Sequence, residues 1–339
     1  MIAVGVDTHK DKHHAVALDR LGQLLTEIVI TTDLAGYAQF VSWISDLDGQ
    51  VLVGIEGAGS YGAGLCEYLQ GEGIEVFEVE RPRRRERRTG KSDRIDALLA
   101  AKKVLANDGL ATPRGTGKRA ALQMLLVAHR SLVSERSRRL YNTMQSLQIS
   151  APNALRERIG QVKGGAKLAE RLTGMRTRPT ASLQENTTLE VLRDMANRAR
   201  ALDTQAKTYA LEIETLTRSL APKLLEEPGV GPICAGKLLA FNPARFTSEA
   251  AFARANGTAP QPASSGKTIR HRLSRGGDRQ INTAIYTIAL SRSVHHAPSR
   301  AYIQRRVSEG KTKREAMRSL KRYLSRHLYN QLTNTPLTT

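Results

Sequence analysis

Four acids stand where apolar patterning alone would not place them. Asp7 closes the strand-like run Ile2–Val6, within Val-Gly-Val-Asp-Thr-His-Lys. Glu56 closes a second apolar run, Val51–Ile55, and is followed by Gly-Ala-Gly. Asp93 and Asp96 stand three residues apart at the start of a helical pattern, in Lys-Ser-Asp-Arg-Ile-Asp-Ala, a spacing that puts both on one helical face. A carboxylate buried alone at a strand end is costly. If the first and fourth strands are neighbours, Asp7 and Glu56 lie side by side, and the helix bearing Asp93 and Asp96 can cover them. Four converging carboxylates repel one another unless cations neutralise them, and hard oxygen donors suit Mg²⁺ or Mn²⁺. Two such ions can clamp the attacking and leaving oxygens of a phosphodiester. Taken singly, Asp93 also reads as a helix cap or dipole partner and Asp7 as a turn acid. His9, His13 and His14 lie nearby; His14 reads as a surface residue, and His9 is a weaker candidate for the site.

Three further segments carry phosphate-directed chemistry. Arg81, Arg83, Arg84, Arg85, Arg87, Arg88 and Lys91 immediately precede the acid pair. Such a run is often a solvated loop, but next to a phosphodiester site it suits backbone phosphates, since no aromatics interleave for base stacking. Pro228-Gly-Val-Gly-Pro-Ile-Cys-Ala-Gly has the look of a helix-hairpin-helix, whose amides around Gly229 and Gly231 can meet a phosphate. A plain glycine turn is the simpler reading. In the segment 257–279, Ser264 and Ser265 share a Pro/Gly loop with Lys267, Arg270, His271, Arg272, Arg275 and Arg279. On composition alone the serines are loop residues. The cations beside them would hold a phosphodiester and favour an alkoxide.

The elements that must position these groups divide the chain into regions 1–110, 111–221 and 222–330, with a polar tail at 331–339. The first is α/β. Ile2–Val6, His14–Leu18 and Leu24–Ile30 form an antiparallel meander. A helix opened by Thr32 or Asp33 presents Tyr37, Phe40, Val41, Ile44 and Leu47 on one face. The strand Val51–Ile55, a helix over 61–69, the strand Ile74–Val79 and a helix from Asp93 to Leu105 follow. Three strands and then alternating helix and strand is the order of an RNase H-like mixed sheet. A dinucleotide-binding fold would lack the meander and need a glycine fingerprint after its first strand. The middle region is helical. Leu126, Val133, Leu140 and Leu147 recur every seven residues, and Leu192, Met195, Ala199, Leu202, Ala206, Tyr209, Ile213, Leu216 and Leu220 follow heptad spacing. That seam fits either two helices packed within one chain or a coiled coil between chains. Pro152 ends one helix and Pro179 precedes the next, with a Gly- and Arg-rich segment between them expected to be mobile. The last region is mainly helical, with the irregular serine loop at 257–277 and helices over 278–295 and from Lys313.

The net charge of +20, from 52 basic and 32 acidic residues, favours a polyanionic partner over a neutral one. No run approaches the roughly 20 apolar residues of a membrane span, and the N-terminus lacks signal-peptide features. Cys66 and Cys234 show neither metal nor disulfide spacing. A reducing cytoplasm is expected.

Together these residues resemble the insertion sequence 110 family of transposases, with its related DNA invertases, over nearly the whole chain. Asp7, Glu56, Asp93 and Asp96 follow the order and spacing of the family's DEDD tetrad. Ala-Ser-Ser-Gly-Lys, followed by Arg-Leu-Ser-Arg-Gly-Gly-Asp-Arg-Gln, is similar to its serine motif. The resemblance implies a RuvC-like carboxylate domain that uses Mg²⁺ or Mn²⁺. It also implies a C-terminal serine nucleophile that links covalently to double-stranded DNA. A structured guide RNA and assembly as a dimer or tetramer are implied as well. Ser265 is favoured over Ser264 because it directly precedes Gly266. Two rival readings are a Holliday-junction-type nuclease that uses the same acids with water as nucleophile, and a non-catalytic nucleic-acid scaffold.

Overall fold

A computed structural model of the chain describes residues 1–79, 92–107, 110–113, 117–263, 271–274 and 276–334. By contacts these fall into two compact units. One gathers the described residues of Met1–Thr116 and Phe241–Pro336, the other those of Gly117–Ala240.

The first unit contains the mixed sheet anticipated from the sequence. Strands β1 (Ile2–Thr8), β2 (Lys12–Leu18) and β3 (Leu24–Thr31) form the antiparallel meander, while β4 (Val51–Glu56) and β5 (Val76–Val79) run parallel to β1. A two-residue strand, β6 (Leu110–Ala111), completes the order β3-β2-β1-β4-β5-β6. All seven residues of β1 are buried, as a central strand covered on both faces must be.

Each face has its own cover. Helix α1 (Leu34–Ser45), opened by the Asp33 side chain accepting from the Gly36 amide, buries Tyr37, Phe40 and Ile44. With α2 (Ala63–Gly71) it packs on Val4, Val6, Ala15, Ala17, Val53 and Ile55. The opposite face takes α3 (Asp93–Leu105), whose Ala97, Ala100, Ala101 and Val104 pack on Ala3, Val16, Leu18 and Val79. The alanines matter: with no bulk on the buried side, the helix backbone can approach the sheet.

The C-terminal part of this unit is helical. It comprises α11 (Glu249–Ala255), α12 (Arg279–His295), α13 (Ala297–Ser308) and α14 (Lys313–Asn334), with a short hairpin of β7 (Gln261–Pro262) and β8 (His271–Arg272). Phe241, Phe246, Phe252 and Tyr329 form an aromatic cluster. Arg245 fastens this part to the sheet: its guanidinium pairs with Glu78 of β5, and its Nε donates to the Thr112 carbonyl at 2.7 Å.

In the second unit, α4 (Lys118–Ser134) continues through a π-helical stretch, Glu135–Tyr141, into α5 (Asn142–Ser150). The 38-residue α8 (Leu183–Leu220) packs along α4. Leu192, Ala199, Ala206, Ile213 and Leu220 of the heptad seam are buried within this one chain. The segment between Pro152 and Pro179, anticipated as mobile, instead holds α6 (Asn153–Ile159) and α7 (Gly165–Thr173). Leu155, Ile159, Leu168 and Leu172 provide the reason, joining Leu189 and Leu192 in a common core. Helices α9 (Pro222–Glu226) and α10 (Pro232–Phe241) flank the Gly229–Gly231 turn. α10 meets α8 at Gly236, where a Cβ would lie 3.0 Å from Ile213 Cγ2. Among the described residues, no helix is long and apolar enough to cross a membrane.

Candidate active site

The site is assembled from the sheet register upward. β1 and β4 pair in parallel, with Gly5 opposite Gly54 and Val6 opposite Ile55. The next positions are Asp7 and Glu56. Side chains alternate across a strand, so Asp7 faces the same side as Gly5, and Glu56 the same side as Gly54. That side is α3's: a Cβ on Gly5 would lie 2.2 Å from the Ala97 carbonyl oxygen, and one on Gly54 would lie 2.3 Å from Val104 Cγ2. The two glycines thus let α3 rest almost on the backbone of the central strands.

α3 is started by Ser92, whose hydroxyl accepts from the Ile95 amide at 3.2 Å. This cap fixes Asp93 and Asp96 in the first turn, above the C-terminal ends of β1 and β4. Asp7, Glu56 and Asp96 are 5%, 4% and 5% exposed, an unusual density of buried acid. Asp93 is the outer member, its side chain nearly half exposed. Burial pushes the Asp7 carboxyl up from 3.8 to about 6, with the charges of Glu56 and then Asp96 adding to the rise and His9 opposing it.

His9 is the residue that sequence reasoning underrated. Its Nε2 lies 3.1 Å from Asp7 Oδ2 and 3.3 Å from Asp93 Oδ1, tying an inner acid to the outer one. Potential ligand atoms of Asp7, His9 and Asp93 all lie within 4.8 Å of one another. The available signal was alternation: two residues beyond Asp7, His9 returns towards the same side of the sheet. His13 differs. It is fully buried on the α1 face, where its ring stacks parallel to Tyr37, and burial lowers its pKa. His14, anticipated as a surface residue, is mostly covered and lies 3.7 Å from Glu27.

The donor set fits a hard divalent cation. Asp7 and Asp93 offer carboxylate oxygens beside the His9 imidazole, while Glu56 and Asp96 are near enough for their charges to act on Asp7. A positive ion there would offset the burial and the neighbouring acid charges that together raise Asp7.

The remaining sequence candidates fall elsewhere. Arg272 lies in β8 and Arg279 begins α12; both are exposed. Gly229 and Gly231 occupy the turn before α10 in the other compact unit, Gly229 with a positive φ of 77°. Arg83, Arg84, Arg85, Arg87, Arg88 and Lys91 lie outside the described residues, as do Ser264, Ser265, Lys267, Arg270 and Arg275. Lys321 was missed, although it falls on the buried stripe of α14 with Leu324, Ser325 and Leu328.

Comparison with known proteins gives a consistent result. Residues 4–152 match a family model described as a transposase of the IS110 DEDD type. Residues 221–304 match the model of the IS116/IS110/IS902 transposase family. An IS110 insertion-element protein of Streptomyces coelicolor, uncharacterised and of 43.6 kDa, is 31% identical over 137 residues, 39% of this chain and 34% of that protein. The chain thus aligns with about a third of that relative's length. An uncharacterised 44.8 kDa IS116 insertion-element protein of Streptomyces clavuligerus is 24% identical over 370 residues, 95% of this chain and 92% of that protein.

Proposed function

We propose that this chain, which belongs to the IS116/IS110/IS902 family of insertion-element transposases, cuts and rejoins double-stranded DNA with its acid cluster and a C-terminal serine. The observation that carries this reading is the side-by-side placement of Asp7 and Glu56 on neighbouring parallel strands under Asp96. Buried acids so arranged serve no packing purpose, and a scaffold would have no need of them.

Asp7, Glu56, Asp93 and Asp96 would hold Mg²⁺ or Mn²⁺. Such a cation, when bound, would offset the negative charge that builds up on a phosphodiester as it is cut. His9 orients Asp7 and Asp93 through its ring nitrogen. The Ser265 hydroxyl (Ser264 is the neighbouring alternative) attacks the scissile phosphorus. An Oγ–P bond forms, the P–O3′ bond breaks, and the serine proton ends on the departing 3′ oxygen. The product is a phosphoserine and a free 3′-hydroxyl. Attack by a 3′-hydroxyl of the exchanged strand then breaks the Oγ–P bond and restores the serine. Each step trades one phosphoester for another, so no nucleotide hydrolysis is needed.

Arg83, Arg84, Arg85, Arg87, Arg88 and Lys91 contact backbone phosphates beside the acids. Gly229 and Gly231 offer amides to a further phosphate, and Lys267, Arg270, Arg272, Arg275 and Arg279 hold the phosphodiester near the serine. The excess of basic residues suits a structured guide RNA as well as DNA, and strand exchange calls for a dimer or tetramer. The N-terminal domain is RNase H-like, in the RuvC manner, a reading that the strand order supports.

The test is strand cleavage of DNA carrying the ends of the element, with RNA transcribed from its flanks, in Mg²⁺ or Mn²⁺. Cleavage that needs the cation and is abolished in Asp7→Asn and Asp96→Asn is expected. Cleavage that persists in both variants overturns the assignment.

A further inference from the structure

We propose that the C-terminal part of the first unit carries a pocket for a single unpaired nucleotide. A cavity of about 800 Å³ opens between α11, the β7–β8 hairpin, α13 and α14. Its lining includes Arg272, Lys311, Lys321, Tyr302 and Tyr323. The volume lies in the range of small-ligand sites and admits one nucleotide but not a duplex.

Lys321 sets the chemistry of the floor. It is only 7% exposed, and Nζ donates to Asn282 Oδ1 at 2.7 Å while standing 5.7 Å from the centre of the Tyr286 ring. Asn282 is itself held, its amide donating to the Asn256 carbonyl at 2.8 Å. An ammonium has three donors, and among the described residues Lys321 uses one of them, on Asn282. Burial lowers the Lys321 pKa, the mark of a cation held where little offsets its charge. Several neighbouring arginines are already matched: Arg322 and Arg326 with Glu249, Arg306 with Glu309, and Arg318 with Glu315. Arg272 and Lys311 have no ion pair among the described residues. The charge left over in the cavity is therefore positive, and a phosphate complements it.

The aromatic pair gives the other half. Tyr302 and Tyr323 meet edge to face, with centroids 5.4 Å apart and planes at 79°. Tyr323 is 57% exposed, so one tyrosine offers an open ring face braced by the other. Stacking on such a face requires a base that has left its own stack. Phosphate-seeking cations and a free aromatic face in one nucleotide-sized cavity select an unpaired nucleotide.

The inference rests on the nucleic-acid reading above, and its test separates the two. Fluorescence anisotropy would follow full-length protein binding dye-labelled oligo-dT, oligo-rU and a duplex of equal length. Wild type, Tyr323→Ala and Lys321→Met would be compared, with circular dichroism to verify folding. In Tyr323→Ala the preference for a single strand over duplex is expected to fall about tenfold. In Lys321→Met the salt dependence of single-strand binding is expected to weaken by about one phosphate contact. The dT and rU arms tell whether the nucleotide comes from DNA or RNA. Tyr323 is exposed, so its variant tests the pocket even if Lys321→Met unfolds. Unchanged single-strand preference in Tyr323→Ala overturns the pocket while duplex binding upholds the nucleic-acid reading. Failure of wild type to bind any of the three overturns both.

Discussion

Gly5 of β1 lies so close beneath Ala101 of α3 that a Cβ on the glycine would stand 2.1 Å from the Ala101 amide nitrogen. This contact sets the height of α3 over the sheet, and with it the distance from Asp96 to Asp7. Gly5→Ala must push the helix away. Overpacking of this kind costs about 1–3 kcal/mol, and here the obstacle is backbone, so the upper end is expected. Thermal unfolding checks it: the midpoint should fall by several degrees, and divalent-cation affinity should fall with it. An unchanged midpoint and affinity would mean that α3 is not seated through Gly5.

The raised Asp7 pKa predicts a pH effect in metal-free protein. A carboxyl at about 6 when folded and 3.8 when unfolded binds its proton more tightly in the folded state. Stability therefore falls as pH rises through the window from about 4 to about 6, and the loss is complete above it. At about 1.36 kcal/mol per pH unit the loss is at most about 3 kcal/mol. Asp7→Asn should flatten this slope and stabilise the chelator-treated protein at pH 7.5. Melting curves from pH 4 to 8 with the same slope for both proteins would contradict it.

Cation binding should rank the site residues. Titration calorimetry with Mn²⁺ is expected to show binding lost in Asp7→Asn and in Asp96→Asn. His9→Ala, which removes an orienting group, should weaken binding by about tenfold. Equal affinity in wild type and Asp7→Asn would place the cation elsewhere.

The Arg245–Glu78 pair should be a structural fastening. Arg245 is 6% exposed. Its loss in Arg245→Ala leaves Glu78 without its buried counter-charge, at a cost of about 3 kcal/mol. Adding Glu78→Gln to that variant should recover part of the loss. A double variant no more stable than Arg245→Ala would show that the charge on Glu78 is immaterial.

Legibility in the sequence followed how local the determinants are. The meander, the α1 face and the two strand-end acids could be read because alternation and apolar runs encode them within a few residues. Asp93 and Asp96 were legible as a pair, but not their unequal burial, which depends on how closely Gly5 lets α3 approach. The fastening by Arg245 joins residues far apart in sequence and leaves no periodic trace. His9 and Lys321 were undervalued for a related reason. A polar residue on or beside a patterned stripe reads as surface until the partner element that covers it is known. The heptads read as a seam without naming its partner, and within this chain α4 packs along α8.

The central claim is that the acids and a serine act on one phosphodiester. The most direct measurement is a denaturing gel of labelled DNA bearing the element's ends, incubated with Mg²⁺, flanking RNA and the wild-type, Ser264→Ala, Ser265→Ala or Asp7→Ala protein. A labelled band that migrates with the protein, lost in one serine variant and in Asp7→Ala, is the predicted result. Cleavage without any covalent band, unaffected by either serine change, would contradict it and point to a metal-dependent nuclease that uses water.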